Sequence, residues 1–488
     1  MQSELIQSPL YKILNPDSIA IFGASNRFTS MGSSQLASIL DLKFRGRLYP
    51  IHPKEKTVQG LKAYRSVEDL PEVPDLALII LPTHLVLDTM DRCGRKGIRH
   101  AIIISGGFKE KGREGIELED RLIEISKRYG MRFLGPNCIG IVNPYKELNT
   151  TFLPYTAEPG FIGMASQSGS FITQMFDYLA KFNLGFSAGI SVGNEANIDI
   201  VDCIEYLAHC PNTRAIGLYL ETIRRGRRFI EVVQETVKIK PVVAYYVGGT
   251  EAGKRASLSH TGALAGPDEL YEGIFKQAGI IRAYSIEELF DFCWVLGSMP
   301  PMKDNRVVIQ THSGGPGAST ADACERAGLK VADLSEETIQ KLKGFVPNTG
   351  SVQNPVDLTF MKNPAHYLLN IPEILIDDKE IDGMLIYFLL SVRHIKSALE
   401  GLKVPKDQIS SYVRNFIEDH TNSLKKMINN KKKPIVGFSY RGSEDQFISE
   451  LQKRGIPVLP GSLRAARAMW ALYRYSKIKE SMGNGKDK

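Results

Sequence analysis

No two cysteines in this 488-residue chain stand at C-x-x-C spacing. Cys93, Cys138, Cys203, Cys210, Cys293 and Cys324 are scattered singly, which argues against a cysteine-bound metal and for reduced thiols in the cytoplasm. No metal site is expected on this chain. Long apolar runs are missing too. The strongest, such as LALIIL at 76–81, are strand-length and far short of the ~20 residues that cross a bilayer, so no membrane association is expected. The opening MQSELIQSPLYKIL lacks a basic stretch followed by an apolar core, the mark of a secretory signal. Lys and Arg do not cluster. The net charge is +7, and the densest group, KKMINNKKKP at 425–434, reads as a solvated turn, so nucleic acid is not an expected partner.

What is present is an ordinary soluble composition, 43% hydrophobic and 24% charged, in a chain long enough for about three domains. A short apolar strand, a small-residue turn and an amphipathic helical stretch recur along its length. SIAIFGAS (18–25), DLALIILP (75–82), HAIIISGG (100–107) and MRFLGPN (131–137) form a first series. GFIGMASQSG (160–169), FSAGISVGN (186–194), RAIGLYLE (214–221) and KPVVAYYVGG (240–249) form a second. RVVIQTHSGG (306–315), GMLIYFLLS (383–391), KPIVGFSYRG (433–442) and GIPVLPG (455–461) form a third. Near-continuous apolar strands alternating with helices predict parallel sheets covered on both faces. The fold class expected is α/β: three doubly wound parallel-sheet domains, over 1–145, 146–300 and 304–476, with a polar tail over 477–488. Ligands are expected at the carboxyl ends of the strands.

In the first domain, IAIFGASNRFTSMGSS resembles the opening of a dinucleotide fold, a strand running through Gly23 into a helix whose backbone N–H groups hold phosphate. The full G-x-G-x-x-G is absent. The second strand, GRLYPIHPK, ends on His52, Pro53 and Lys54 where an NAD enzyme carries an acid for the ribose. That suits a phosphorylated ribose, and coenzyme A fits at least as well as NADP.

In the second domain, SQSGS at 166–170 opens a helix with small polar residues, an anion site in waiting. Glu221 ends the strand AIGLYLE, where a carboxylate is costly unless partnered. His260 lies in KRASLSHTGALAG, among small residues that offer an imidazole little packing. A carboxylate on one ring nitrogen frees the other as a nucleophile, so the three features together read as a phosphohistidine site. GGTEAGKR at 248–255 matches a P-loop by spacing, but Arg255 stands where the metal-binding hydroxyl belongs. The third domain repeats the device in THSGGPGAS, where Ser313 and its glycines open a helix. Two such helix starts, each worth about half a positive charge, could hold one phosphoryl group without a metal.

With these residues in view, the chain resembles the α subunit of the NDP-forming acyl-CoA synthetases, especially the ADP-forming acetyl-CoA synthetases, relatives of succinyl-CoA synthetase. The likeness runs through SIAIFGAS, GRLYPIHPK, AIIISGGFKEKG, LGPNCIGIVNP, ASQSGSF, SVGNEANIDIVD, LYLETI, SLSHTGALAG, THSGGPGASTADACERAGL and RGIPVLPGSLRAARAM. It implies a Rossmann-like CoA-binding domain followed by two flavodoxin-like ligase domains. It implies the reaction acyl-CoA + ADP + phosphate ⇌ carboxylic acid + ATP + CoA, with His260 as the phosphorylated residue and Glu221 orienting it. Ser168, Gly169 and Ser170, with Gly314, Gly315 and Gly317, would cradle the phosphoryl group. Gly23, Ser25, Asn26, Lys54, Pro82, Ser105 and Gly106 carry over as CoA contacts, and Gln167 and Asn194 as the acyl phosphate pocket. The loop bearing His260 would travel to a distant nucleotide site. No ATP-grasp domain is found in the sequence, so ADP or ATP with Mg²⁺ is expected on an ATP-grasp β subunit, in an α₂β₂ assembly. The alternatives are a non-catalytic CoA-binding sensor or scaffold of the same fold and an NADP-dependent oxidoreductase.

Overall fold

The computed structural model describes residues 2–483 apart from 28, 256–265, 362, 364 and 390. These form two compact units, residues 1–284 and 285–488. No helix among the described residues is long and apolar enough to cross a membrane.

The first unit holds two sheets. In the first, β1 (Ser18–Phe22), β2 (Arg47–Ile51), β3 (Leu76–Ile79), β4 (His100–Ile103) and β5 (Arg132–Leu134) pair in parallel in the order β2-β1-β3-β4-β5. Every residue of β1 and β3 is buried, as uninterrupted apolar runs require when helices cover both faces. Helices α1 (Met31–Asp41), α2 (Thr83–Lys96) and α3 (Arg113–Tyr129) make the crossovers. The second and larger sheet contains β6 (Ile141–Asn143), β7 (Leu148–Asn149), β8 (Ile162–Ser166), β9 (Phe186–Ser191), β10 (Ala215–Leu220), β11 (Val242–Tyr246) and β12 (Ile281–Ala283), in the order β12-β11-β10-β8-β9-β6-β7. Its five main strands are parallel, and β6 and β7 extend one edge antiparallel. Helices α4 (Gly169–Lys181), α5 (Ile200–His209), α6 (Gly226–Ile239) and α7 (Asp268–Ala278) belong to this sheet's crossovers.

The second unit begins with α8 (Ile286–Ser298) and is built on β13 (Arg306–Thr311), β14 (Lys330–Val331), β15 (Val356–Asp357), β16 (Gly383–Tyr387), β17 (Ile435–Ser439) and β18 (Val458–Pro460). These pair in parallel as β14-β13-β16-β17-β18, with the short β15 on β13. Helix α9 (Gly314–Arg326) leaves β13, and α10 (Ser462–Gly483) leaves β18.

The first two sheets place their first parallel strand between the second and the third, and the third sheet places β13 between β14 and β16. The chain reverses its winding beside that first strand, and the reversal opens a crevice at the carboxyl ends of the first and third strands. Register keeps these ends level: Phe22 lies beside Ile79, and Ser166 beside Tyr219. The small-residue turns after β1, β8 and β13 all stand at such crevices.

Three expected boundaries differ in detail. Strands β6 and β7, from residue 141 on, join the second sheet, because Gly189 and Ile190 of β9 pair with Val142 and Ile141. Helix α8 lies within the stretch 146–300 yet packs in the second unit, where Arg464 of α10 grips its buried Asp291 through two nitrogens, each at 2.7 Å. Residues 477–483, expected as tail, continue α10: Ile478 is buried one turn beyond Tyr475, so the apolar stripe outlasts the polar composition.

Candidate functional site

At the carboxyl edge of the first sheet lies a cavity of about 540 Å³, lined by Gly23 after β1, Ile80–Pro82 after β3, Ile104–Gly106 after β4 and Asn137–Ile139 after β5. Its far wall comes from the second sheet: Gln167, Gly169 and Ser170 after β8 and Gly193 after β9. Two glycines create the space. At Gly23 (φ +95) a Cβ would stand 1.9 Å from the Ile80 carbonyl oxygen, and at Gly32 a Cβ would stand 2.4 Å from the Gly23 oxygen. The first turn of α1 thus rests directly on the strand-end backbone, with Ser30 as its N-cap. Gly32 does the close-packing work of the last glycine in a dinucleotide fingerprint, at a longer spacing. The signal was a second glycine nine residues after the first.

Gly23, Pro82, Ser105 and Gly106, which the resemblance carried over as CoA contacts, all line this cavity. The Ser105 hydroxyl donates to the Leu81 carbonyl at 2.6 Å and accepts the Leu81 N–H at 3.1 Å, so it also braces the cavity floor. Ser25, Asn26 and Lys54 stand outside the lining. Ser25 is bonded to Ser33, whose hydroxyl donates to the Ser25 carbonyl at 2.8 Å. The Asn26 amide binds Glu55, the Thr57 carbonyl and the Gln59 N–H, which fastens the 55–59 segment. Lys54 is exposed.

The turn after β8 is folded by its own strand. The Ser166 hydroxyl donates to the Ser168 carbonyl at 2.7 Å and accepts the Ser168 N–H at 3.1 Å. Helix α4 starts at once, with Ser168 as N-cap, and its first turn, Gly169 and Ser170, opens on the cavity. Positive potential at that helix end and free N–H groups suit an anion.

Beside this turn is a small second cavity, about 10 Å³, lined by Glu221, Thr222, Arg224, Gly193, Asn194, Glu195, Lys109 and Gln167. Gln167 and Gly193 line both cavities. Gln167 is 4% exposed and fully engaged: its Nε2 donates to Glu195 Oε2 at 2.9 Å and to the Thr222 carbonyl at 2.8 Å, while its Oε1 accepts the N–H groups of Glu221 and Thr222. It locks the end of β10, and so fixes where the buried Glu221 is carried. Asn194 is engaged likewise, donating to Glu110 at 2.7 Å and Glu119 at 2.9 Å and accepting from Asn137 at 3.3 Å. Both amides hold the pocket together through their side chains.

Burial dominates the electrostatics. It pushes the Glu195 carboxyl up to about 8, against the Ile200 N–H that favours the charged form, with Asp199 adding to the rise. Burial, opposed by Asn194 and reinforced by the neighbouring Glu110 charge, pushes Glu119 up to about 7. Glu110 goes the other way: burial would raise it, but Asn194 and the Gly107 and Phe108 N–H groups hold it below the ordinary range. Lys109, Glu195, Thr222 and Arg224 were not singled out by the sequence; the motifs GGFKEKG, VGNEANID and LYLETI contain the first three, and Arg224 follows directly after the last, without marking their convergence.

In the second unit the turn after β13 repeats the same device. The Thr311 hydroxyl donates to the Ser313 carbonyl at 2.9 Å and accepts the Ser313 N–H at 3.3 Å. Gly314 and Gly315 form the first turn of α9, and a Cβ at Gly315 would meet open space. Gly317 is different: a Cβ there would stand 2.9 Å from Thr311 Cγ2, so this glycine lets the helix approach its strand. His260 lies outside the described residues. Lys254 of the P-loop-like stretch pairs with Glu251 at 2.7 Å, within residues 251–255 that are helical.

Residues 17–144 match the family of CoA binding domains, residues 159–296 the succinyl-CoA ligase like flavodoxin domain, and residues 307–397 the ligase-CoA domain. That order defines a CoA ligase of the succinyl-CoA ligase type. The α subunit of ADP-forming acetate–CoA ligase II from Pyrococcus furiosus is 38% identical over 95% of this chain and 97% of its own length. The ADP-forming acetate–CoA ligase of Methanocaldococcus jannaschii is 37% identical over 95% of this chain, which spans 63% of that longer protein. The solved dinucleotide-forming acetyl-coenzyme A synthetase 1 of Candidatus Korarchaeum cryptofilum, in complex with phosphate and ADP, superposes with a TM-score of 0.86 at 33% identity, covering 98% of this chain and 99% of that one. The chain belongs to the family of ADP-forming acetate–CoA ligase α subunits, which are acid–thiol ligases.

Proposed function

We propose that this chain, with a partner subunit, interconverts acyl-CoA + ADP + phosphate and carboxylic acid + ATP + CoA. The observation that carries the reading is the common wall: Gln167 and Gly193 line both the glycine-built cleft and the Glu221 cavity. A thioester bound in the cleft would bring its carbonyl to this shared wall. There a phosphate oxygen adds to the thioester carbonyl, the C–S bond breaks, and CoA leaves as the thiol with the proton given up by phosphate. The product is an acyl phosphate. A neutral nitrogen of His260 then attacks phosphorus, the bond to the acyl oxygen breaks, and the acid leaves as carboxylate. Glu221 accepts the remaining ring N–H, which selects the tautomer and steadies the charged ring. The α4 start at Ser168–Ser170 holds phosphoryl oxygens on backbone N–H groups, and the α9 start at Gly314 and Gly315 has the chemistry to do the same.

His260 passes the phosphoryl group to ADP, which we place with Mg²⁺ on an ATP-grasp β subunit in an α₂β₂ assembly. Two facts support a partner: the Pyrococcus relative is named as one subunit, and the Methanocaldococcus relative extends well beyond the part this chain matches. The six cysteines are all buried and unpaired, in keeping with a reducing cytoplasm. Acetate is the first acid to assay. The test is ³²P transfer from ATP: label appears on this chain only beside its partner and is absent from His260→Ala. Label on serine, or label indifferent to that substitution, sinks the reading. CoA binding with no labelling beside any partner favours a sensor.

A further inference from the structure

The cavity that carries Glu221 sets an electrostatic problem. Phosphate must approach a narrow space bordered by Glu221 and Glu195, with Glu119 just behind Asn194. Two cations line that space, Arg224 and Lys109. Arg224 spends part of its fork on the loop after β9: one nitrogen donates to the Glu195 carbonyl at 2.9 Å, and its Nε lies 3.7 Å from Glu195 Oε2. Lys109 is held differently. Its side chain is 18% exposed, and its ammonium donates to the Asn194 carbonyl, which uses one of three donors. The nearest carboxylate, Glu119 Oε1, is 4.0 Å away, at the outer limit of an ion pair. Burial and Glu110 hold Glu119 up at about 7, so near neutrality it offsets the lysine charge only in part.

We propose that Lys109 receives the phosphate oxygens at the wall shared by the cleft and the Glu221 cavity, as an anion-binding residue of the acyl-transfer step. The Asn194 carbonyl aims the ammonium, and the first turn of α4 supplies the remaining positive potential from the cleft side. A compact point charge with several donors suits a tetrahedral anion. Lys109 follows β4 on the turn that also carries Ser105 and Gly106, so one loop faces CoA at its start and phosphate at its end.

The inference rests on the acyl-transfer reading, and one assay separates the two. The full chain is incubated with acetyl-CoA and arsenate, which replaces phosphate and gives a mixed anhydride that hydrolyses; released CoA thiol is measured. Lys109→Met is expected to raise the KM for arsenate about tenfold or more, as befits a lost charge-assisted hydrogen bond, with the KM for acetyl-CoA within about twofold. Lys109→Arg should recover much of the loss. Lys111→Met, which removes the same charge from an exposed neighbour outside both cavities, should behave as the parent chain. An unchanged arsenate KM in Lys109→Met, or a matching rise in both KM values, overturns the proposal. If Lys109→Met does not fold, Lys109→Gln takes its place, and an unaltered arsenate KM there is equally fatal. A parent chain that releases no thiol overturns the acyl-transfer reading instead. In that case ³¹P line broadening of inorganic phosphate, present with the parent chain and lost in Lys109→Met, still decides for Lys109, and broadening that persists decides against it.

Discussion

Gln167 is bolted to Glu221: its side-chain oxygen accepts the Glu221 N–H, and its amide nitrogen donates to the Thr222 carbonyl and to Glu195. The turn after β8 and the end of β10 therefore move as one piece. Replacing Gln167 with Leu leaves the Glu221 N–H, the Thr222 N–H and the Glu195 carboxyl without that partner in a buried site. At about 1–3 kcal/mol for each such group, a stability loss of about 3 kcal/mol or more is expected in a denaturant titration. Acyl-CoA turnover should fall further than stability alone accounts for, because Glu221 loses its anchor. A variant as stable and active as the parent contradicts the bolt.

Glycine substitutions should sort by what a Cβ would meet. Gly23→Ala places carbon 1.9 Å from a backbone oxygen at a positive φ, and Gly32→Ala places it 2.4 Å from another. Both should abolish CoA binding in a calorimetric titration. Gly317→Ala meets Thr311 at 2.9 Å and should lower the melting temperature. Gly315→Ala meets nothing and should fold at least as well as the parent, since alanine is favoured over glycine in a helix by up to about 1 kcal/mol. Its effect, if the α9 start holds phosphate, is confined to phosphoryl transfer. Equal melting losses in all four contradict the packing argument.

The Glu195 carboxyl sets a sign for the dependence of stability on pH. It is raised from an ordinary 4.5 to about 8, so above pH ~4.5 the folded chain retains a proton that the unfolded chain has lost. Stability from this group is complete below ~4.5 and declines as pH rises toward ~8. Glu119, at about 7, adds a decline of the same sign. Melting temperatures measured from pH 5 to 8.5 should fall less steeply in Glu195→Gln than in the parent chain. An identical slope shows that Glu195 is ionised in the fold.

In the second unit, the bidentate Arg464–Asp291 pair ties α10 to α8 with the carboxylate only 3% exposed. Arg464→Met strands that carboxylate and should cost about 3 kcal/mol. Asp291→Asn added to it should recover part of the loss, because the uncompensated charge is then gone. A double variant less stable than the sum of the two singles argues against the pair. Urea unfolding of the full chain, followed through Trp294 and Trp470, reads this unit.

The three sheets were legible in the sequence because strands buried on both faces must be written as unbroken apolar runs, and their small-residue turns announce where ligands can approach. The places of Glu221, Ser168, Gly169 and Gly23 were legible for the same reason: each stands at a strand end, a position that local pattern defines. The continuation of α10 through Ile478 was hidden, since Lys477, Lys479, Glu480 and Ser481 around it mask one buried contact. The membership of β6 and α8 was hidden too, because it depends on partners far away in the chain.

What the sequence determined by itself was therefore the order of strands, turns and helices, and the chemical character of each turn. Only the tertiary structure decided which turns share a wall. Lys109, Gln167, Glu195 and Glu221 come from four separate segments, and their meeting depends on two sheets presenting their carboxyl edges to one another within the first unit. Tertiary structure also decided that Gln167 and Asn194 spend their amides on holding the pocket while Lys109 keeps donors to offer. Hydrogen-bond partners are settled by proximity in space, and no local pattern of residues encodes that.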